Sequence, residues 1–89
     1  MATMLIHLQV KDYAAWKVVF DSGSDLRKSN GEISHQIFRD EKDANRLTTL
    51  YTWDTFENAR KFTESPELKA AMERAGVNGR HEIHFLNQA

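Results

Sequence analysis

Four histidines, His7, His35, His81 and His84, are the side chains best suited to proton transfer, because imidazole is the side chain whose ordinary pKa lies near neutrality. His81 and His84 have the spacing of a metal pair. Their segment reads as a strand, however, and there residues i and i+3 point to opposite faces. Solvated edge histidines, and no metal, are the expectation. His7 and His35 fall on different strands and could converge in a barrel; the ordinary alternative is a buried, hydrogen-bonded structural histidine. Trp16, Phe20, Tyr51 and Trp53 could wall a pocket for a small aromatic ligand, with simple core packing as the alternative. His35 is the candidate catalytic base beside that pocket. Asp21 and Asp25, four residues apart, read as a solvated helix face. No glycine-rich phosphate loop, nucleophile elbow or Walker motif is present, and no cofactor is expected.

These residues need a scaffold, and the composition bounds it. The chain has 89 residues, a net charge of −1, no cysteine and one proline. It reads as a single domain spanning residues 1–89. A chain of this size buries only about two-thirds of its unfolded surface, so its own core is marginal. Without a disulfide, oligomerisation is the common remedy. Near-neutral charge argues against nucleic acid as a partner. The leading MATMLIHLQV is apolar but too short for a membrane span, and it lacks a charged lead-in or cleavage site. A cytoplasmic protein with no membrane partner is the expectation.

Thr3 to Val10 reads as a strand, with Met4, Ile6, Leu8 and Val10 on one face and Leu5, His7 and Gln9 on the other. Asp12 can cap a helix from Tyr13 to about Asn30, in which Trp16, Val19, Phe20, Gly23 and Leu26 keep helical spacing. Ser22-Gly23-Ser24 weakens its centre, since mid-helix glycine costs about 1 kcal/mol against alanine. Either the helix bends there or something packs close to the missing side chain. Glu32–Arg39 and Arg46–Trp53 read as a hairpin around the charged turn Asp40–Asn45. Its register is open, and with it the face that His35 takes.

The segment from Tyr51 to Gly79 carries the clearest punctuation. Asp54 with Glu57 makes a capping box. Pro66 forbids helix at Ser65 and then restarts one, with Ser65 as N-cap. Leu68, Ala71, Met72 and Ala75 form one apolar stripe, and Gly76 ends it. A last strand spans Arg80 to Asn87, with Ile83 and Phe85 facing one way and His84 and Leu86 the other.

The order is β-α-β-β-α-β, an α+β, ferredoxin-like fold with a four-stranded antiparallel sheet and a second helix broken at Pro66. Right-handed crossovers put both helices on one sheet face. The opposite face then carries Leu, His, Thr and aromatic side chains with nothing in the chain to cover them. A second copy is the simplest cover, making a homodimer.

The chain resembles the dimeric α+β barrel superfamily, which includes the antibiotic-biosynthesis monooxygenases and stress-responsive barrel proteins. The similarity is strongest to small bacterial members, through DYAAWKVVFD at Asp12–Asp21, Ile37-Phe38-Arg39 before the turn, and Trp53-Asp54 at the helix start. Ser65 to Val77 matches S-P-x-L-x-x-A-M-x-x-A-G-V, and Glu82 to Leu86 matches E-I-x-F-L. Gly23 departs from the resemblance, which places a histidine at that helix position. The resemblance implies homodimers whose sheets face each other as a dimeric α+β barrel. Within the superfamily some members oxidise aromatic polyketides without a cofactor and others degrade haem. Fold likeness alone does not carry function.

Two classes of function remain open. One is a small-molecule site in each subunit, between sheet and helices, either a cofactor-independent monooxygenase-like enzyme or a ligand binder. The other is a non-catalytic structural or interaction module. RNA binding by the sheet fits the topology alone and lacks the flanked aromatic motif it would need.

Overall fold

Strict alternation of apolar residues sets the centre of the sheet. In the computed structural model, which describes the backbone of residues 1–89 and every side chain except those of Asn78 and Arg80, β1 (Ala2–Val10) is a central strand. It pairs antiparallel with β3 (Arg46–Trp53) on one side and β4 (Val77–Leu86) on the other; β2 (Glu32–Arg39) completes the order β2-β3-β1-β4. Met4, Ile6, Leu8 and Val10 are buried, as period-two alternation requires of the covered face. Leu47, Tyr51 and Trp53 of β3 join them under the helices. At such sites, large-to-small substitutions cost roughly 2–5 kcal/mol.

The hairpin register places His35 opposite Tyr51 and Ile37 opposite Thr49. Directly paired residues share a face. His35 therefore lies on the helix side with Tyr51 and Trp53. His7 lies on the open side, where Nδ1 sits 2.9 Å from Thr48 Oγ1 and the ring meets His84 edge-on. His7 and His35 thus occupy opposite faces of this subunit's sheet and do not converge within it. Leu5, Leu50, His84 and Leu86 share the open face with His7, in register across the three strands.

The single first helix expected over Tyr13–Asn30 is two, α1 (Tyr13–Ser22) and α2 (Ser24–Ser29). Both consequences foreseen for the weak centre occur together. The chain turns at Gly23, and the Arg27 side chain packs where a side chain at 23 would lie, with Nη1 3.2 Å from an ideal Cβ there. The break shifts the helical phase of α2 relative to α1. Arg27 turns inward, while Leu26, which the spacing put on the buried stripe, is 43% exposed.

The second helix is divided as expected into α3 (Phe56–Thr63) and α4 (Pro66–Arg74), with Pro66 at the first turn and Ser65 Oγ accepting from Leu68 N. The cap of α3 is not Asp54 but Thr55, whose Oγ1 accepts from Asn58 N at 3.1 Å. The reason is that the β2–β3 pairing runs one residue further. Asp54 N donates to Gly31 O, which keeps Asp54 in the ladder, and its carboxylate accepts from Thr55 N and from the Asn58 side chain instead. Gly31 (φ 118°) lies against that carboxylate, which would collide with any Cβ. Glu57, freed from the box, pairs with Lys61 at the surface.

The last strand begins at Val77, three residues before the expected Arg80. Lys11 N donates to Gly76 O, and Val10 pairs with Val77. Gly79, which lies just before the expected strand start, instead sits inside the strand at φ 62°, opposite a register shift between His7 and Gln9. The strand absorbs the glycine as a bulge.

Candidate functional site

Three aromatic residues and a helix break build the site. Trp16 and Phe20, one turn apart on α1, stack with ring centroids 4.9 Å apart, and Tyr51 rises from β3 to within 6.4 Å of Phe20. These three, with Ile6 and Leu8 beneath and Leu68 and Met72 of α4 above, line a half-open cavity of about 80 Å³. Its wall is apolar apart from Arg27, Glu67 and the Tyr51 hydroxyl. Trp53 takes no part in it: Trp53 is fully buried, packs on Phe62 at 5.1 Å, and keeps its Nε1 without an acceptor. Wider grooves run along the open sheet face near His7 and beside α4 near His81, both open to solvent. His84, on the open sheet face with His7, points away from the α4 groove that His81 lines.

α4 roofs the cavity loosely. Its apolar stripe faces the cavity, yet no α4 residue before its C-cap is buried. Pro66 and Gly76 (φ 74°) bound it at either end.

Arg27 is the polar centre. It is 4% exposed, which is rare for arginine without a partner. Nε donates to Glu32 Oε2 at 2.7 Å, and Nη1 donates to the Phe20 carbonyl at 2.7 Å. That carbonyl is available because the helix breaks at Gly23, whose own N–H also turns back to it. The guanidinium lies over the Phe20 ring, 3.8 Å from its centroid. Nη2 has no acceptor.

Glu32, buried at the bulged start of β2, ties this group to His35: Oε1 lies 3.1 Å from His35 Nδ1. A carboxylate paired with Arg27 can only accept, so Nδ1 is the nitrogen that donates to it, and in the neutral ring Nε2 is the acceptor. His35 meets Phe20 edge-on at 4.9 Å but is not part of the cavity wall. Burial pushes the Tyr51 phenol above its ordinary pKa; the Thr49 hydroxyl and Arg27 pull it back, and Glu32 adds to the rise. Tyr51 is thus a neutral hydroxyl on the wall at physiological pH.

Of the residues singled out for the pocket, the fold brings Trp16, Phe20 and Tyr51 to one cavity and places His35 behind Phe20 and Trp53 in the core. Arg27 and Glu32 are the site residues that the spacing argument passes over. A signal is present: a glycine one helical turn before an arginine, with an acidic residue five positions on.

No family model matches the chain, and no curated protein is similar to it in sequence. Solved structures are similar in shape. SnoaB, a cofactor-independent oxygenase from Streptomyces nogalater, is 16% identical with a TM-score of 0.75, over 99% of this chain and 94% of that one. A Bordetella bronchiseptica protein provisionally called an antibiotic biosynthesis monooxygenase is 14% identical with a TM-score of 0.83, over 99% and 96%. A Caulobacter crescentus protein of the same provisional description is 18% identical with a TM-score of 0.77, over 99% and 89%. The chain has the antibiotic-biosynthesis-monooxygenase-like fold. At these identities the likeness is one of fold. Among the described residues no helix is long and apolar enough to cross a membrane.

Proposed function

We propose that each subunit binds a small, mostly apolar molecule in the cavity between sheet and helices, and that the protein is a cofactor-independent, monooxygenase-like enzyme acting on an aromatic compound. The observation that carries the reading is the apolar cavity itself, walled by Trp16, Phe20 and Tyr51 with the buried Arg27 among its lining residues. An oxidation of this kind needs an apolar slot, a base near neutral pKa and exclusion of water. The aromatic residues supply the slot and α4 the cover. His35 supplies the base: Glu32 holds its Nδ1–H and leaves Nε2 to take a proton. His35 is not on the wall: it stands across the Phe20 ring from the cavity, with 31% of its side chain exposed.

The size of the cavity supports a second reading, a ligand-binding module without catalysis. A dry cavity of about 150 Å³ holds benzene, so 80 Å³ admits a full ring only if α4 lifts. Planar phenols and quinols screened by tryptophan fluorescence, followed by oxygen consumption for each binder, separate the two. Turnover that falls at least tenfold in His35→Ala supports the enzyme and its base. Turnover untouched by that change keeps the enzyme and discards His35. Binding without turnover leaves the module, and the absence of any binding leaves a structural protein.

The reading also includes a homodimer joined through the open sheet face. Leu5, Leu50 and Leu86 lie there on a chain too small for a large core of its own. Light scattering at micromolar concentration should give twice the chain mass, and Leu50→Lys should shift it toward the monomer. A monomeric wild type contradicts the dimer.

A further inference from the structure

We propose that His7 and His84 make the contact between copies pH-sensitive: neutral imidazoles let a second copy close over the open sheet face, and protonated ones release it. The inference rests on the homodimer reading and adds what regulates that contact.

Register gathers the groups on one face. His7 stands directly opposite Glu82 of β4, and His84, two residues on, stands opposite Leu5. The two rings meet edge-on with centroids 6.3 Å apart, and His84 Nε2 lies 3.5 Å from Glu82 Oε2. Two imidazoles therefore share one carboxylate. From β3 the facing groups are Thr48, whose Oγ1 sits 2.9 Å from His7 Nδ1, and Arg46 one rung along, opposite Gln9. On the rungs of the two histidines β2 contributes Gln36 and Phe38 and no charge. Arg39 and Asp40 lie at the end of the groove beside His7, and both are engaged locally. Arg39 lies over the Tyr13 ring and donates to the Ala44 carbonyl. Asp40 accepts from Lys42 N and Asp43 N, and Asp43 in turn accepts from the Gln9 amide.

The charge of this face suits a copy of itself. Its permanent charges are one cation, Arg46, and one anion, Glu82, on opposite sides of β1. A two-fold axis running along β1, between facing sheets, lays β3 of one copy over β4 of the other. Each Arg46 then approaches the Glu82 of the second copy, one rung away and within reach of two long side chains. Leu5 and Leu50 fill the adjoining rung. With neutral imidazoles the closed face is apolar at its centre and balanced in charge.

Protonation upsets that balance. In a separate subunit His7 and His84 are exposed, so water solvates either form. Between two sheets the charged form loses that water. Glu82 matches one imidazolium; the second stands unmatched beside the first and near Arg46. The closed face therefore holds fewer protons than two separate subunits. Association is then complete above the ordinary imidazole range and weakens as the pH falls through it.

Sedimentation equilibrium at pH 8 and pH 6, either side of the ordinary imidazole pKa, tests this. The dimer dissociation constant of the wild type should rise about tenfold or more at pH 6. In His7→Gln/His84→Gln, whose amides stay polar and take no proton, it should change by less than about threefold. His35 and His81 lie off this face and remain in that variant as an internal control. Glu82→Gln removes the one matching carboxylate and should enlarge the rise. A wild-type constant equal at the two pH values, or a double variant that responds as the wild type does, overturns the inference and leaves the dimer standing. A wild type that is monomeric at pH 8 overturns the dimer reading itself. Should the double variant not dimerise at pH 8, Glu82→Gln decides: a rise that it leaves unchanged or reduces overturns the inference.

Discussion

The two halves of the helical layer are broken in different ways. Between α1 and α2 the break is a missing side chain: Gly23 lets the chain turn and leaves room that Arg27 fills. Between α3 and α4 it is a missing N–H: Pro66 stops one helix, and Ser65 caps the next. The glycine break draws a charged side chain inward, to 4% exposure, and closes it against Phe20 and Glu32. The proline break brings nothing inward; α4 leaves its apolar stripe half-exposed over the cavity. One half of the layer is therefore fixed by a buried polar network and the other rests as a cover. A cavity with one rigid wall and one loose wall can order a ligand and still admit it.

The largest expected effect breaks the rigid half. Arg27→Met leaves Glu32 buried without its cation, and losing one partner of a buried pair costs about 3–5 kcal/mol. Urea unfolding should show that loss, and Glu32→Met added to it should recover most of the stability. A single variant within 1 kcal/mol of wild type would mean that water reaches Glu32 and that the pair does not brace this half. The contrast with α4 sharpens it: Met72→Ala, at a half-exposed position, should cost well under half as much.

How far the residues announce this arrangement differs between the same two regions. Pro66, Ser65 and the stripe from Leu68 to Ala75 are local signals, and the α3–α4 break is readable from them. So are the strands with clean alternation, β1 above all, because burial on one face leaves a period of two. Asp54 misleads because a cap and a strand end compete for the same residue. The winner is the Gly31 carbonyl, some twenty positions away in sequence. The β4 start is hidden for a similar reason: Gly79 reads as a loop signal but serves as a bulge against β1. In the site, Trp16 and Phe20 are legible from helical spacing. Arg27 is not, since its burial depends on the turn at Gly23 and on Glu32 of a different element. The face of His35 depends on register, which only the paired strand determines.

A smaller effect belongs to the loose half. Pro66→Ala keeps the Ser65 cap and restores an N–H, so global stability should move by less than about 1 kcal/mol. Amide exchange should change from Thr63 to Leu68 and little elsewhere. If protection there is unaltered, the packing of Leu68 and Phe62 fixes the break and the proline only tolerates it.

The smallest change in stability, and the most informative about the seat of Arg27, is Gly23→Ala. The backbone there has φ −90°, which alanine adopts without strain. By itself the substitution restricts the unfolded chain and should stabilise by about 0.4–1 kcal/mol. Against that, the new methyl would stand 3.2 Å from Arg27 Nη1, closer than carbon and nitrogen settle comfortably, and the guanidinium is not free to retreat. It is bonded to the Phe20 carbonyl on one side and to Glu32 on the other. The two effects oppose, so the unfolding midpoint should shift by less than the stabilising term alone. The Nη1 bond to Phe20 should lengthen, read as a changed guanidinium N–H signal. A variant stabilised by the full entropic amount with an unchanged Arg27 signal would show that the arginine yields freely. In that case Glu32 alone seats the guanidinium, and the glycine serves only the turn.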